Sequence, residues 1–308
     1  MSRSSRPYVH SPTKGRADVR LSWRLRTAVC GATLLCCLTT ALLPATASAD
    51  TTDTERPGSG TQAVVFSDDF DGPAGAPVDS SKWQNETGDN VNNHERQYYT
   101  PGTDNAALDG NGNLVITARK ENPGNYQCWY GTCEYTSARL NTAGKFTQTY
   151  GHVEARIKVP RGQGMWPAFW MLGDDIGSAG WPACGEIDVM ENVGFEPSTV
   201  HGTLHGPGYS GSGGIGAAYT LPGGAAFADD FHTFAIDWSP GTVTWSVDGN
   251  VYQTRTPADV GGNPWVFDKP FFLILNLAVG GYWPGDPDGS TNFPQQMTVD
   301  YVRVTTGD

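Results

Sequence analysis

The chain has 308 residues and carries 20 Lys/Arg against 32 Asp/Glu, a net charge of −12. Seven of the basic residues and one acid fall in the first 49 positions, leaving 13 against 31 beyond them, a net of −18. An acidic surface of this kind repels nucleic acid and anionic polymers and favours a neutral substrate or partner.

A basic leader with Arg16, Arg20, Arg24 and Arg26 runs into the apolar stretch TAVCGATLLCCLTTALLPA and then into Ala47-Ser48-Ala49, the A-x-A pattern of a secretory cleavage site. Export to the extracellular space is the expectation, with residues 1–49 as the signal peptide. The competing reading is a membrane anchor, but the apolar core is short, broken by Thr and closed by Pro44. Residues 50–62 are polar and read as a flexible segment. From 63 to 308 no linker or repeat interrupts the pattern, which fits one large all-β domain.

Cys30, Cys36 and Cys37 leave with the leader. Cys128 and Cys133, in QCWYGTCEY, are close enough to staple a short loop in an oxidising compartment, and Cys184 is left over as a small buried hydrophobe. Strand signals follow at short intervals. NLVITARK (113–120) is the first, and GHVEARIKV (151–159) alternates apolar and polar residues. HTFAIDWS (232–239), PFFLILNLAV (270–279) and MTVDYVRV (297–304) continue the series, and TVTWSVDGNVYQTR (242–255) reads as a hairpin turning at Asp248-Gly249-Asn250. Many short strands separated by turns indicate a β-sandwich. The Gly-rich tract 209–226 reads as a long loop over one face.

The segment GEIDVMENVG (185–194) holds Glu186, Asp188 and Glu191 among apolar Ile, Val and Met. On a helix, Glu186 and Glu191 would point roughly 140° apart and could not converge. On a strand their Cα atoms lie roughly 13 to 16 Å apart, and two inward-leaning Glu side chains can approach the ~5 to 5.5 Å carboxyl spacing of retaining glycosidases. Strict alternation puts Glu191 on the wrong face, so a β-bulge at Val189-Met190 is required. Three exposed surface acids are the alternative, although the interleaved apolar residues argue that the opposite face is buried. Crowded acids push one another's pKa values apart, which suits one ionised and one protonated carboxyl.

Flat aromatic surfaces accompany the acids: Trp166 and Trp170 in GMWPAFWML, Trp181 in GWPAC, and Trp283 in GGYWPGD. Several Trp residues at strand ends and turns suggest pyranose stacking. Trp238 and Trp245, mid-strand, are expected in the core.

Together WPAFWMLG (166–173), WPACGEIDVMENVG (181–194), TLHGPGYSG (203–211), FADDFHTFAIDW (227–238) and FLILNLAVGGYWPG (272–285) resemble the bacterial laminarinases, endo-β-1,3-glucanases of glycoside hydrolase family 16. The resemblance implies a concanavalin-like jelly roll of two curved antiparallel sheets with an open concave cleft. It also implies a retaining double displacement with Glu186 as nucleophile, Glu191 as acid/base and Asp188 assisting. Asn93, Glu95, Arg139, Trp166, Trp170, Trp181, His205, Asn276 and Trp283 are implied to contact sugar. Met190 gives the E-x-D-x-x-E spacing common among laminarinases, whereas lichenan- and xyloglucan-active members usually carry E-x-D-x-E. One departure is visible: VNNHERQYY (91–99) has His94 and no Trp where laminarinases often read W-G-N-N-E-x-Q-Y-Y. His232 reads as structural.

The implied partner is a β-glucan polysaccharide acted on by a monomer, with no nucleic acid, and no membrane after leader cleavage. No cofactor is expected for catalysis. A structural Ca2+ is the one metal the resemblance implies, held by Asp300 with backbone oxygens of Asp69 and Gly112. The competing readings are a β-1,3-1,4-glucanase and a non-catalytic glucan-binding lectin, and a binder has no need of three convergent acids.

Overall fold

A computed structural model describes residues 62–306, so the leader and nearly all of the 50–62 segment lie outside the described residues. Within them, two antiparallel sheets stack as a jelly-roll sandwich. The outer sheet has eight strands, in the order Asn250–Arg255, Thr242–Val247, His232–Ser239, Gly151–Lys158, Gln295–Thr306, Leu114–Ala118 and Ala106–Leu108, with Ala63–Asp68 also paired to Gln295–Thr306. The inner sheet has seven, in the order Ile215–Thr220, Thr199–His205, Glu186–Glu191, Met165–Gly173, Phe271–Val279, Arg139–Asn141 and Gln84–Glu86.

Alternation places the core between the sheets. From Gly151–Lys158, Val153, Ala155 and Ile157 are fully buried, and they meet Phe169, Met171, Leu273, Leu275 and Leu277 from the inner sheet. The Phe271–Val279 strand is buried on both faces, which explains its unbroken apolar run. Its second face packs Phe272 and Ile274 with Leu172 and Cys184, then presents Asn276 and Ala278 to a cleft.

The expected hairpin is present, and its two-residue turn has Asp248 at φ +50° and Gly249 at φ +75°, the left-handed pair that a tight hairpin needs. The Gly-rich tract departs from expectation. Residues Ile215–Thr220 form the edge strand of the inner sheet, flanked by short 3-10 turns at Gly211–Gly213 and Pro222–Gly224. Its glycines give close approach: a Cβ at Gly214 would lie 2.5 Å from the His205 ring, and one at Gly216 would lie 2.2 Å from the Gly202 carbonyl. Glycine here signalled a strand lying tightly against its neighbour.

Candidate active site

The acid strand Glu186–Glu191 lies between Met165–Gly173 and Thr199–His205. On the first side Leu172, Trp170 and Ala168 oppose Glu186, Asp188 and Glu191, so steps of two residues face steps of two and then three. On the second side Val189 and Met190 together oppose the single residue Gly202. That is the bulge expected from the spacing. Its consequence is that Ile187, Val189 and Met190 enter the core while all three acids line one cleft.

Each outer carboxylate receives an indole N–H. Trp181 Nε1 donates to Glu186 Oε2 at 2.8 Å, and Trp166 Nε1 donates to Glu191 Oε1 at 3.0 Å. His205 sits across from Glu186, with Nε2 3.8 Å from Glu186 Oε1 and 3.0 Å from Asp188 Oδ2, the latter off the line of a hydrogen bond. Glu186, Asp188 and His205 present ligand-type atoms within 4.8 Å of one another, a donor set able to hold a divalent cation.

Burial dominates the electrostatics. It pushes the Glu186 carboxyl up to about 8, helped by the Asp188 charge and opposed by His205, the Trp181 N–H and Arg139. Asp188 is likewise raised by burial to about 8, with a hydrogen bond to Glu186 opposing the rise. Glu191 is raised well above the usual carboxylate range, first by burial and then by the Asp188 charge, with His205 and Trp166 opposing. Three acids in one poorly hydrated cleft therefore disfavour three simultaneous charges, and burial biases Glu191 towards its protonated form. A protonated carboxyl and an ionisable one on the same face can do acid-assisted displacement chemistry.

Arg139, Trp170, Asn276, Asn93 and Glu95 line the same cleft as the acids. The Arg139 guanidinium lies 4.7 Å from the centre of the Trp170 ring and pairs with Glu86, and Trp170 Nε1 donates to Asn276 Oδ1 at 2.7 Å. Glu95, which the resemblance implies contacts sugar, lines the cleft with its carboxylate already engaged by protein donors. It is 4% exposed, and its carboxylate accepts from Asn90, Asn93, Gln97 and Tyr99. Four protein donors occupy it, so it holds Asn90 and Asn93 in place. Trp181 and Trp283 stand at the rim, with the Trp283 ring edge-on to Trp166 at 5.6 Å.

Sequence reasoning missed Asn90 and His201. His201 opposes Glu191, donates from Nε2 to Glu196 Oε2 over 2.9 Å, and packs against Trp283. Its i, i+4 spacing to His205 on one strand face was the available signal. His232 pairs with Asp248 at 2.7 Å, and Trp238 and Trp245 are buried, as expected. Cys128 and Cys133 form a disulfide, and Cys184 is buried and free.

The carboxylates of Asp300 and Asp69, two of the residues named for the calcium, are paired with arginines, Arg156 and Arg303 respectively, so the one side-chain ligand expected for the ion already faces a cation. Beside Gly112 lie the Asp69 carbonyl and Asp71 Oδ1, each 3.7 Å from where a Cβ would stand, so the carboxylate found with these main-chain positions is that of Asp71.

Comparison with known proteins agrees with this geometry. Residues 93–303 match the family described as glycosyl hydrolases family 16. A β-glucanase of Rhodothermus marinus is 44% identical over 255 residues, spanning 78% of this chain and 84% of that protein. The solved endo-β-1,3-glucanase of Pyrococcus furiosus is 50% identical with a TM-score of 0.74, covering 80% of this chain and 95% of that one. A non-specific endo-β-1,3(4)-glucanase from the same family, solved with a glucan oligosaccharide, is 40% identical with a TM-score of 0.72 and covers 80% and 95%. From the bulged acid strand to the sheet order, the chain belongs to glycosyl hydrolase family 16.

Proposed function

We propose that the protein is a secreted endo-β-1,3-glucanase that hydrolyses laminarin-type β-glucans, as a monomer, by a retaining double displacement. The observation that carries the reading is the Val189-Met190 bulge, which turns Glu191 onto the face of Glu186 and Asp188. Glu191, held protonated by burial, donates to the leaving oxygen. Glu186, with the Trp181 N–H and His205 beside it, attacks the anomeric carbon as a carboxylate. Asp188 lies between them, hydrogen-bonded to Glu186, and its charge disfavours ionisation of both glutamates. In the second step Glu191 takes a proton from water, which cleaves the glycosyl-enzyme ester.

No cofactor takes part in this scheme. A structural calcium is a separate question that chelation tests: a fall in the melting temperature supports it, and an unchanged one, which the Arg156–Asp300 pair favours, discards it. Export is supported by the leader pattern and by the Cys128–Cys133 disulfide, a bond suited to an oxidising compartment.

Reducing-end release from laminarin, lichenan and xyloglucan tests the substrate, and proton NMR of the first-formed anomer tests retention. Equal or faster release from lichenan overturns the β-1,3 preference and favours the broader β-1,3(4) reading, which the likeness to the non-specific glucanase keeps alive. Glu186→Gln or Glu191→Gln with full activity would sink the assignment of roles.

A further inference from the structure

The loop that departs from the laminarinase pattern builds an aromatic surface. His94 has φ +55°, a left-handed backbone uncommon for a non-glycine residue. Its ring lies 4.3 Å from Trp129 and 4.1 Å from Tyr282, and its Nε2 lies 3.0 Å from the Tyr282 hydroxyl. Trp129 belongs to the disulfide loop, and that loop is tied down firmly. Trp129 Nε1 donates to the Glu95 carbonyl, its main-chain N–H to Asp89, and the Tyr130 hydroxyl to the Arg96 carbonyl, at 2.6 to 2.8 Å.

The polar edges of Trp129 and Tyr282 are therefore engaged inside the protein, while their carbon faces meet water. Tyr282 is 73% exposed and Trp129 39%. Two large rings from separate loops, bridged by His94, are thus left side by side with exposed apolar surface able to meet a ligand.

The surface is continuous with the cleft. Tyr282 N donates to the Asn93 carbonyl at 3.0 Å, and a Cβ at the neighbouring Gly281 would lie 3.4 Å from the Trp166 ring. Asn93 and Trp166 line the cleft with the acids. A polymer leaving the cleft past Asn93 thus reaches Tyr282 next.

We infer that Tyr282, backed by His94 and Trp129, is an outer subsite that stacks glucosyl units of the same β-glucan chain, beyond those gripped around the acids. The inference rests on the glucanase reading above.

Tyr282→Ala, Tyr282→Phe and wild type are compared on laminarin and on the shortest laminari-oligosaccharide that wild type cleaves. Tyr282→Ala should raise KM for laminarin about five- to tenfold, leave kcat alone, and leave both constants for the short substrate unchanged. Tyr282→Phe, which keeps the ring, should behave as wild type. An equal effect on both substrates, or none on either, overturns the subsite. A wild-type dimer dispersed by Tyr282→Ala on a sizing column also overturns it, because the rings would then be an interface between copies. Failure of wild type on every β-glucan tested would instead sink the glucanase reading itself.

Discussion

Trp245, on the outer sheet, donates its indole N–H to the main-chain carbonyl of Asp188 at 2.8 Å, from beneath the acid strand. At the edge of the bulge the core thus supplies a donor to that carbonyl. Gly202, opposite the bulge, makes room: a Cβ there would lie 2.5 Å from Trp245 Cδ1 and 2.4 Å from the Tyr252 hydroxyl. Gln253 Nε2 holds the Gly202 carbonyl at 2.8 Å. The bulge is thus a shape that both sheets hold.

Trp245→Phe keeps an aromatic ring but removes the donor, and loss of this buried hydrogen bond is expected to cost about 1 to 3 kcal/mol. Trp238→Phe removes a comparable buried bond, from Trp238 Nε1 to the Phe267 carbonyl, remote from the acids. Both variants should lower the melting temperature by similar amounts. Only Trp245→Phe should lower kcat and alter its pH profile, and an unchanged profile would show that the bulge holds without the indole.

Much of this site is legible from spacing alone. Alternation marks the strands because one face meets a core, and the three-residue step from Asp188 to Glu191 marks a bulge because the acids must share a face. The Trp245 N–H is not legible, since its partner is a main-chain carbonyl on another sheet and no sequence period links the two. The Glu95 network is not legible for a related reason: no sequence period marks a carboxylate that accepts from four protein donors. The edge strand Ile215–Thr220 reads as a loop because glycine weakens strand propensity even where close approach demands it.

The two indole donors separate the roles of the carboxyls. The Trp166 N–H stabilises ionised Glu191, so Trp166→Phe should raise the Glu191 pKa further. An acid must be protonated to act, so the alkaline limb of kcat should move to higher pH. Trp181→Phe should raise the Glu186 pKa in the same way, but a nucleophile must be ionised, so the acidic limb should move up instead. Finding the two limbs exchanged between the variants would reverse the assignment.

On the outer sheet, His152 is pushed up to about 9 by Asp237 at 2.7 Å and Glu154 at 3.4 Å. Its folded pKa lies above the unfolded value of 6.5, so its stabilisation is complete below 6.5 and is lost as pH rises through 9. Because Asp237 is largely exposed, the loss is about 1 to 2 kcal/mol, well below what the shift alone implies. Melting curves from pH 6 to 10 should show this decline in wild type. His152→Gln should flatten it, and an equally steep decline in that variant would place the titrating group elsewhere.

Glu95→Gln tests whether that carboxylate organises the cleft or touches sugar. The amide turns one acceptor into a donor that faces either the Asn90 and Asn93 amides or Gln97 and Tyr99, so at least one buried donor loses its partner. The expected cost is about 2 to 3 kcal/mol. Tyr99 also accepts from Asn276, and Gln97 accepts from the Val279 N–H, so the disturbance reaches the cleft-facing end of the Phe271–Val279 strand. KM should rise as Asn93 loses its anchor, with the melting temperature falling alongside and kcat nearly kept. A variant that melts like wild type yet loses most of kcat would mean that Glu95 meets the substrate at the reacting sugar, and that the four donors seen around it release it when the polymer binds.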